Sequence, residues 1–267
     1  MSIEATPGTQ QLPTARRTVA DDEQGAESVA PSVVPHPALT LPPEQLAGRI
    51  QHALIGQAIT ERMVRQHVEE TARFGFDAAI VPPSWVWAAR DELKGTSIRV
   101  GSFVDFPYGT MTTAGRVAEV EALVDAGVDE LDSTINVGYL LSHRVPEFVA
   151  DVRAIVAAAA PIGVKLMLEL PLLSPAQRTR VVEAAIDVGA AFVTTASRGA
   201  VGIADAGTVR WLRRSVPASI GVKASGGIKT LEQVRTLLAA GADLIGTSSG
   251  VAIVGGQATA KGSLYSY

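Results

Sequence analysis

Gly221-Val-Lys-Ala-Ser-Gly-Gly-Ile-Lys-Thr230 begins as a buried strand, sets one lysine, Lys223, toward the strand's C-terminal end, and breaks at two glycines. Thr230-Leu-Glu-Gln233 then opens a helix with the spacing of a capping box. A helix N-terminus preceded by glycines offers backbone N–H groups and a positive dipole end, which suits a phosphate. One stretch therefore carries an amine for chemistry and a cradle for an anion. The plainer reading is a solvated lysine before an ordinary strand-to-helix turn. A second such turn, in Gly241-Ala-Asp-Leu-Ile-Gly-Thr-Ser-Ser-Gly250, argues against it.

Strand, turn, helix is also the unit that repeats upstream. Short apolar runs at 50–54, 78–81, 98–103, 130–133, 164–169, 192–194, 219–223 and 244–247 read as strands. Helical periodicity falls between them at 61–74, 114–126, 145–159, 175–188, 206–214 and 231–240. Several of the strands are unrelieved apolar runs, as a parallel sheet covered on both faces requires. Eight units over residues 44–256 predict an α/β protein built as a single (β/α)8 TIM barrel. A doubly wound open sheet is the structural alternative, but no Gly-x-Gly-x-x-Gly follows the first strands, so a dinucleotide site has no support. Residues 1–43 are rich in Pro, Ala, Ser, Thr and acidic residues without apolar period, and are expected to form a disordered tail. Residues 257–267 are a C-terminal tail that can reach the active site.

In a barrel of this kind, polar residues at the strand C-terminal ends face the site. These are Asp105 after the third strand, Asp132 on the fourth, Lys165 and Glu169 on the fifth, Thr194 on the sixth, Lys223 on the seventh, and Ser248 and Ser249 after the eighth. An acid and two lysines converging on one mouth point to proton transfer or carbonyl chemistry. Phosphate-ready turns follow strands seven and eight, where barrel enzymes often hold that group.

The composition narrows the partners. With 47% hydrophobic residues and net charge −4 the chain reads as soluble and globular, and neither nucleic acid nor a membrane is an expected partner. It holds no cysteine, so disulfides, thiolate nucleophiles and Cys-based metal sites are excluded. The N-terminus has no basic and apolar leader pattern, and no apolar run reaches spanning length, so the expected location is the cytoplasm.

Read together and in order, several segments resemble the deoxyribose-phosphate aldolases over residues 50–250. They are Ala79-Ile-Val-Pro-Pro-Ser-Trp-Val86, Phe106-Pro-Tyr-Gly109, Asp129-Glu-Leu-Asp-Ser-Thr-Ile-Asn-Val-Gly138, Val164-Lys-Leu-Met-Leu-Glu169, and the two glycine turns above. The resemblance implies a (β/α)8 barrel that joins or splits an aldehyde pair through a lysine Schiff base. It implies no metal and no cofactor, which agrees with four histidines (His36, His52, His67, His143) at no ligand spacing. Carried over by position, Asp132 is the proton-relaying acid, Lys223 the second lysine whose charge tunes the Schiff-base lysine, and Lys165 a further inward-facing cation. Gly226, Gly227, Lys229, Gly246, Ser248 and Ser249 hold the substrate phosphate. Tyr267, at the chain's end, is the candidate for a terminal tyrosine that assists proton transfer. A homodimer is an expected assembly.

The chain departs from that pattern where it matters most. The family's Schiff-base lysine belongs in a Phe-Val-Lys-Thr-Ser-Thr-Gly setting, and here the stretch reads Phe192-Val-Thr-Thr-Ala-Ser-Arg198. Thr194 stands at the nucleophile's position, and a threonine hydroxyl cannot form an imine. Arg198 replaces a glycine, with Gly199 next, and its guanidinium could hold a carboxylate or second phosphate. Gln51-His52-Ala53 replaces Asp-His-Thr, Pro82 replaces an asparagine, and Asp105 a glycine. Three readings follow. The imine moves to Lys223 or Lys165 in an enzyme acting on a phosphorylated sugar-like or keto substrate. Alternatively Asp132 and Lys223 run acid–base chemistry without an imine, as an isomerase, dehydratase or cyclase. In the third, the protein binds a sugar phosphate without turnover.

Overall fold

The structure, a computed structural model, describes residues 36–256. Eight parallel strands close on themselves in chain order, β1 pairing with both β2 and β8. They are β1 (Ile50–Ala53), β2 (Ala78–Ile80), β3 (Arg99–Val104), β4 (Glu130–Thr134), β5 (Gly163–Met167), β6 (Phe192–Thr194), β7 (Gly221–Ser225) and β8 (Leu244–Thr247). The open-sheet alternative is excluded by that closure. The helices are α1 (Pro43–Leu46), α2 (Glu61–Phe74), α3 (Val86–Glu92), α4 (Thr113–Asp125), α5 (Val137–Leu141), α6 (Val145–Ala159), α7 (Pro175–Asp187), α8 (Ala206–Ser215), α9 (Leu231–Ala239) and α10 (Gly250–Val254).

Local chemistry sets these boundaries. Both α7 and α9 start at a capping box, Ser174 with Gln177 and Thr230 with Gln233, in which each side chain satisfies the other residue's backbone N–H. Pro175 at the first position of α7 supplies a fixed φ and lacks a donor that would be orphaned anyway. The strands' outward residues, among them Val100, Leu131, Val164, Leu166, Val193, Val222 and Ile245, are fully buried beneath the helices. That two-sided burial explains why the strands read as continuous apolar runs.

The differences from the sequence reading are small but two have consequences. β7 starts at Gly221 rather than 219 and continues to Ser225, so Lys223 sits mid-strand. β5 ends at Met167, because Glu169 adopts the left-handed conformation (φ 48, ψ 40) and turns the chain out of the strand. The packed part of the chain also starts before residue 44. Pro37–Leu39 forms a short 3-10 helix against α9, Ala38 is buried, and Arg235 donates to the Leu41 carbonyl at 2.7 Å. Residues 1–35 and 257–267 lie outside the described residues, and Tyr267 with them. Among the described residues no helix is long and apolar enough to cross a membrane.

Candidate active site

Strand register builds the site as rows. Thr134 on β4 neighbours Met167 on β5, Met167 neighbours Thr194 on β6, and Thr194 neighbours Lys223 on β7. Asp132, two residues before Thr134, shares its face of β4, because side chains alternate along a strand. Lys223 Nζ donates to Asp132 Oδ1 at 2.8 Å and to Oδ2 at 2.9 Å. The pair joins β7 to β4, three strands apart, so it runs through the barrel interior. Both residues are buried. Burying two charges costs desolvation that their mutual attraction offsets only in good geometry, and removing either partner strands the other.

Gly246 belongs to this arrangement for a reason the sequence did not suggest. A Cβ placed there would lie 2.8 Å from Lys223 Cε and 3.1 Å from Ser225 Oγ. The missing side chain clears the path of the Lys223 stem.

Lys165 is less accessible than its alignment at a strand end implied. Its Nζ lies 2.9 Å from Glu130 Oε2, an oxygen that also pairs with Arg99 at 3.0 Å. Gln51 donates to Glu130 at 2.6 Å and to Asp77 at 3.0 Å. Gln51, Asp77, Arg99 and Glu130 all stand at or near strand N-termini, so this network ties Lys165 toward the barrel's lower end. Burial pulls the Lys165 ammonium below the usual lysine range, against the opposing pull of Asp132 and Glu130, and the charge of Lys223 adds to the depression.

The end of β6 is laced to both neighbours. Thr195 Oγ1 donates to the Ser225 carbonyl at 2.7 Å and accepts from the Ser225 N–H at 3.0 Å, which locks β6 to β7 beside Thr194 and Lys223. On the other side, Ser197 N–H donates to Glu169 Oε1 at 2.6 Å. Glu169 is the functional candidate that sequence reasoning left out of the site, although it was noted at the strand's end. Its carboxyl is buried, its backbone is left-handed, and its pKa is pushed up to about 7. Burial is the main cause, and the Ser197 hydrogen bond and the Arg198 charge only partly oppose it. Non-glycine residues held in this strained conformation concentrate at functional sites. The visible signal was a glutamate ending an apolar strand.

Thr194 Oγ1 is fully buried and has no hydrogen-bond partner among the described residues. Arg198 lays its guanidinium over the Tyr108 ring at 5.0 Å, and its buried Nε is also unpartnered. Tyr108 follows β3 and Arg198 follows β6, so this contact bridges two loops of the mouth across β4 and β5.

The glycine turns are shaped as expected but their donors are partly used. Gly226 has φ 110, and a Cβ there would fall 2.6 Å from the Gly202 carbonyl, so only glycine fits. Gly227 approaches Gly199 and Ile203 of the β6–α8 loop. The N–H groups of Lys229 and Thr230 donate to Gln233 Oε1 at 2.8 and 3.1 Å, so the capping box draws on part of the α9 cradle. After β8, Thr247 Oγ1 donates to the Ile228 carbonyl at 2.7 Å and accepts from Ser249 N–H at 3.0 Å, which draws the second turn, with Ser248 and Ser249, against the first.

Asp105 carries φ 50, which explains why a glycine suits that position, and its Oδ2 accepts from Met111 N–H at 2.8 Å. His52 and His67, distant in sequence, stack at 4.2 Å between β1 and α2, outside the barrel interior. Among the described residues no three His, Cys, Asp or Glu side chains gather into a metal-binding group.

Comparison with known proteins agrees with the barrel fold. The profile of the DeoC/LacD family aldolases matches residues 51–255. The tetrameric deoxyribose phosphate aldolase of Aeropyrum pernix superposes with a TM-score of 0.73 at 31% identity, covering 80% of this chain and 91% of that one. A candidate deoxyribose-phosphate aldolase from Coccidioides immitis gives 0.76 at 29% identity, with 80% and 85% covered. An aldolase designated QR15 gives 0.73 at 29%, with 79% and 95% covered.

Proposed function

The chain belongs to the DeoC/LacD family of aldolases, and we propose that it is an aldolase-type carbon–carbon lyase acting on a phosphorylated hydroxycarbonyl substrate, with Lys223 and Asp132 as its working pair. The observation that carries this reading is the buried pair itself, 2.8 and 2.9 Å between Lys223 Nζ and the Asp132 carboxylate, on the row that contains Thr194. The family's nucleophile position cannot supply an imine, and Lys223 is the amine nearest to it by register.

In the cleavage direction Asp132 takes a proton from the Lys223 ammonium, and the freed amine adds to the substrate carbonyl. Asp132 returns its proton as water leaves, which gives a protonated imine. A base then removes the proton of the β-hydroxyl, the O–H pair becomes a carbonyl, and the carbon–carbon pair moves into the imine as an enamine. Reprotonation at carbon and hydrolysis return Lys223. The glycine turns after β7 and β8, with Gly226, Gly227, Lys229, Ser248 and Ser249, hold the phosphate, and Tyr267 assists at the carbon that is reprotonated. Gly246 serves by clearing Lys223. Lys165 contributes charge from below, since its own ammonium is engaged by Glu130.

One observation favours a second reading. Both carboxylate oxygens of Asp132 grip the Lys223 ammonium, which suits a fixed cation stabilising an enolate without a covalent bond. Substitution by arginine separates the two, because Lys223→Arg keeps the cation and cannot form an imine. With an imine, borohydride and substrate add mass to Lys223 in the wild type, and Lys223→Arg loses turnover. Without one, no adduct forms and the arginine variant keeps measurable turnover. Stabilisation by a sugar phosphate with neither adduct nor turnover would leave a binding protein and sink both enzymatic readings. Association into oligomers is proposed by analogy; the Aeropyrum pernix aldolase is a tetramer, whereas the sequence suggested a dimer.

A further inference from the structure

Buried donors without partners are rare, and each is destabilising unless something satisfies it. Two stand within five residues on the β6 side of the mouth, Thr194 Oγ1 and Arg198 Nε. Between them the Ser197 hydroxyl lies beside the Glu169 carboxyl without a well-formed hydrogen bond, while Ser197's N–H is fully used by Glu169. In the same register row, Thr134 Oγ1 is buried and unpartnered as well. The phosphate turns after β7 and β8 do not account for any of these groups. A guanidinium and hydroxyls call for an acceptor-rich ligand, and the planar N–H edge of arginine matches a carboxylate.

We infer that Arg198, Thr194 and Ser197 form a carboxylate subsite, so that the substrate carries an acid group in addition to its phosphate. The inference rests on the mouth being the site of a phosphorylated carbonyl substrate. Glu169 fits the assignment, because a carboxyl that retains its proton near neutrality can stand beside a substrate carboxylate without like-charge repulsion. The Tyr108 ring lies against the guanidinium from the opposite loop at 5.0 Å.

Calorimetric titration of the full chain with three unreactive probes tests this. Glycerol 3-phosphate presents phosphate alone, 3-phosphoglycerate adds a carboxylate to the same skeleton, and glycerate presents the carboxylate alone. The expected result is 3-phosphoglycerate binding about tenfold to a hundredfold tighter than glycerol 3-phosphate. In Arg198→Ala that ratio falls to about one while glycerol 3-phosphate affinity stays within about twofold, and Thr194→Val, which keeps the shape and removes the hydroxyl, lowers the ratio several-fold. Equal binding of the two phosphorylated probes to the wild type overturns the subsite and leaves the phosphate reading standing. A preference that survives Arg198→Ala overturns it too. Glycerate bound in an Arg198-dependent way, with no gain from phosphate, supports the subsite and removes the phosphate reading. No binding of any probe overturns both.

Discussion

Replacing Glu169 by glutamine removes one proton site from the mouth and little else. Glutamine keeps an oxygen to accept from the Ser197 N–H, now met at 2.6 Å, and has nearly the same volume. The wild-type carboxyl is raised from 4.5 to about 7. Between those values the native state keeps a proton that the unfolded chain has lost, so native stability falls as pH rises through the window and stays lower above it. At about 1.4 kcal/mol per pH unit, the full loss is about 3 kcal/mol. The glutamine variant has no such loss, and every other titrating group is common to both proteins. Urea unfolding at pH 5, 6, 7 and 8 therefore shows the glutamine variant gaining on the wild type by about 2–3 kcal/mol across the series, most steeply between 5 and 7. A gap that stays constant within about 0.5 kcal/mol would refute the reasoning, because Glu169 would then be ionised and solvated in the native protein.

Three further outcomes follow from the same geometry. Thr194→Lys places an amine next to Lys223 by register, where the neighbouring charge depresses its pKa; borohydride with deoxyribose 5-phosphate should then add mass at position 194, and absence of any adduct there would mean that the surrounding mouth no longer accepts that substrate. Gly246→Ala pushes a methyl to within 2.8 Å of Lys223 Cε, which displaces the flexible end of the lysine rather than backbone; turnover should drop about tenfold or more with less than about 1 kcal/mol of stability lost, and unchanged turnover would show that the pair tolerates movement. Lys223→Met alone leaves Asp132 buried and unpaired, at a cost of about 3–5 kcal/mol. Adding Asp132→Leu should recover most of that loss in urea unfolding, whereas an unrelieved double variant would show that the pair's polar surroundings hold the barrel together.

Most of the barrel was legible because its strands are buried on both faces and its helices carry their own start signals. The runs at 78–81 and 244–247 needed only apolar continuity, and Thr230 with Gln233 announced α9 in four letters. Strand ends were harder. At Glu169 the backbone turns left-handed and the carboxyl accepts from a residue 28 positions away, and no local pattern encodes either. The same limit applies to α3 and α5, short helices whose caps make no side-chain hydrogen bond. In the site, one-dimensional reasoning could place Asp132 and Lys223 on facing strands but could not separate Lys223 from Lys165. That distinction depends on Glu130, Arg99, Gln51 and Asp77, which converge from four strands and engage only one of the two lysines.

That separation bears on what a threonine at position 194 means for the site. A lysine there would need a nearby cation to lower its pKa, and Lys223 stands beside it in the row. With Thr194 in its place, the same cation has no amine to tune, yet it keeps both oxygens of Asp132 and a glycine that clears its path. At the end of β6 and just beyond it, Thr194 Oγ1, Ser197 Oγ and Arg198 Nε find no hydrogen-bond partner among the described residues. A buried ion pair on one side and unsatisfied donors on the other are the two observations on which the proposed acidic substrate rests. The arginine substitution at Lys223 and the carboxylate-bearing probe therefore test the two proposals separately, one at the amine and one at the donors near Thr194.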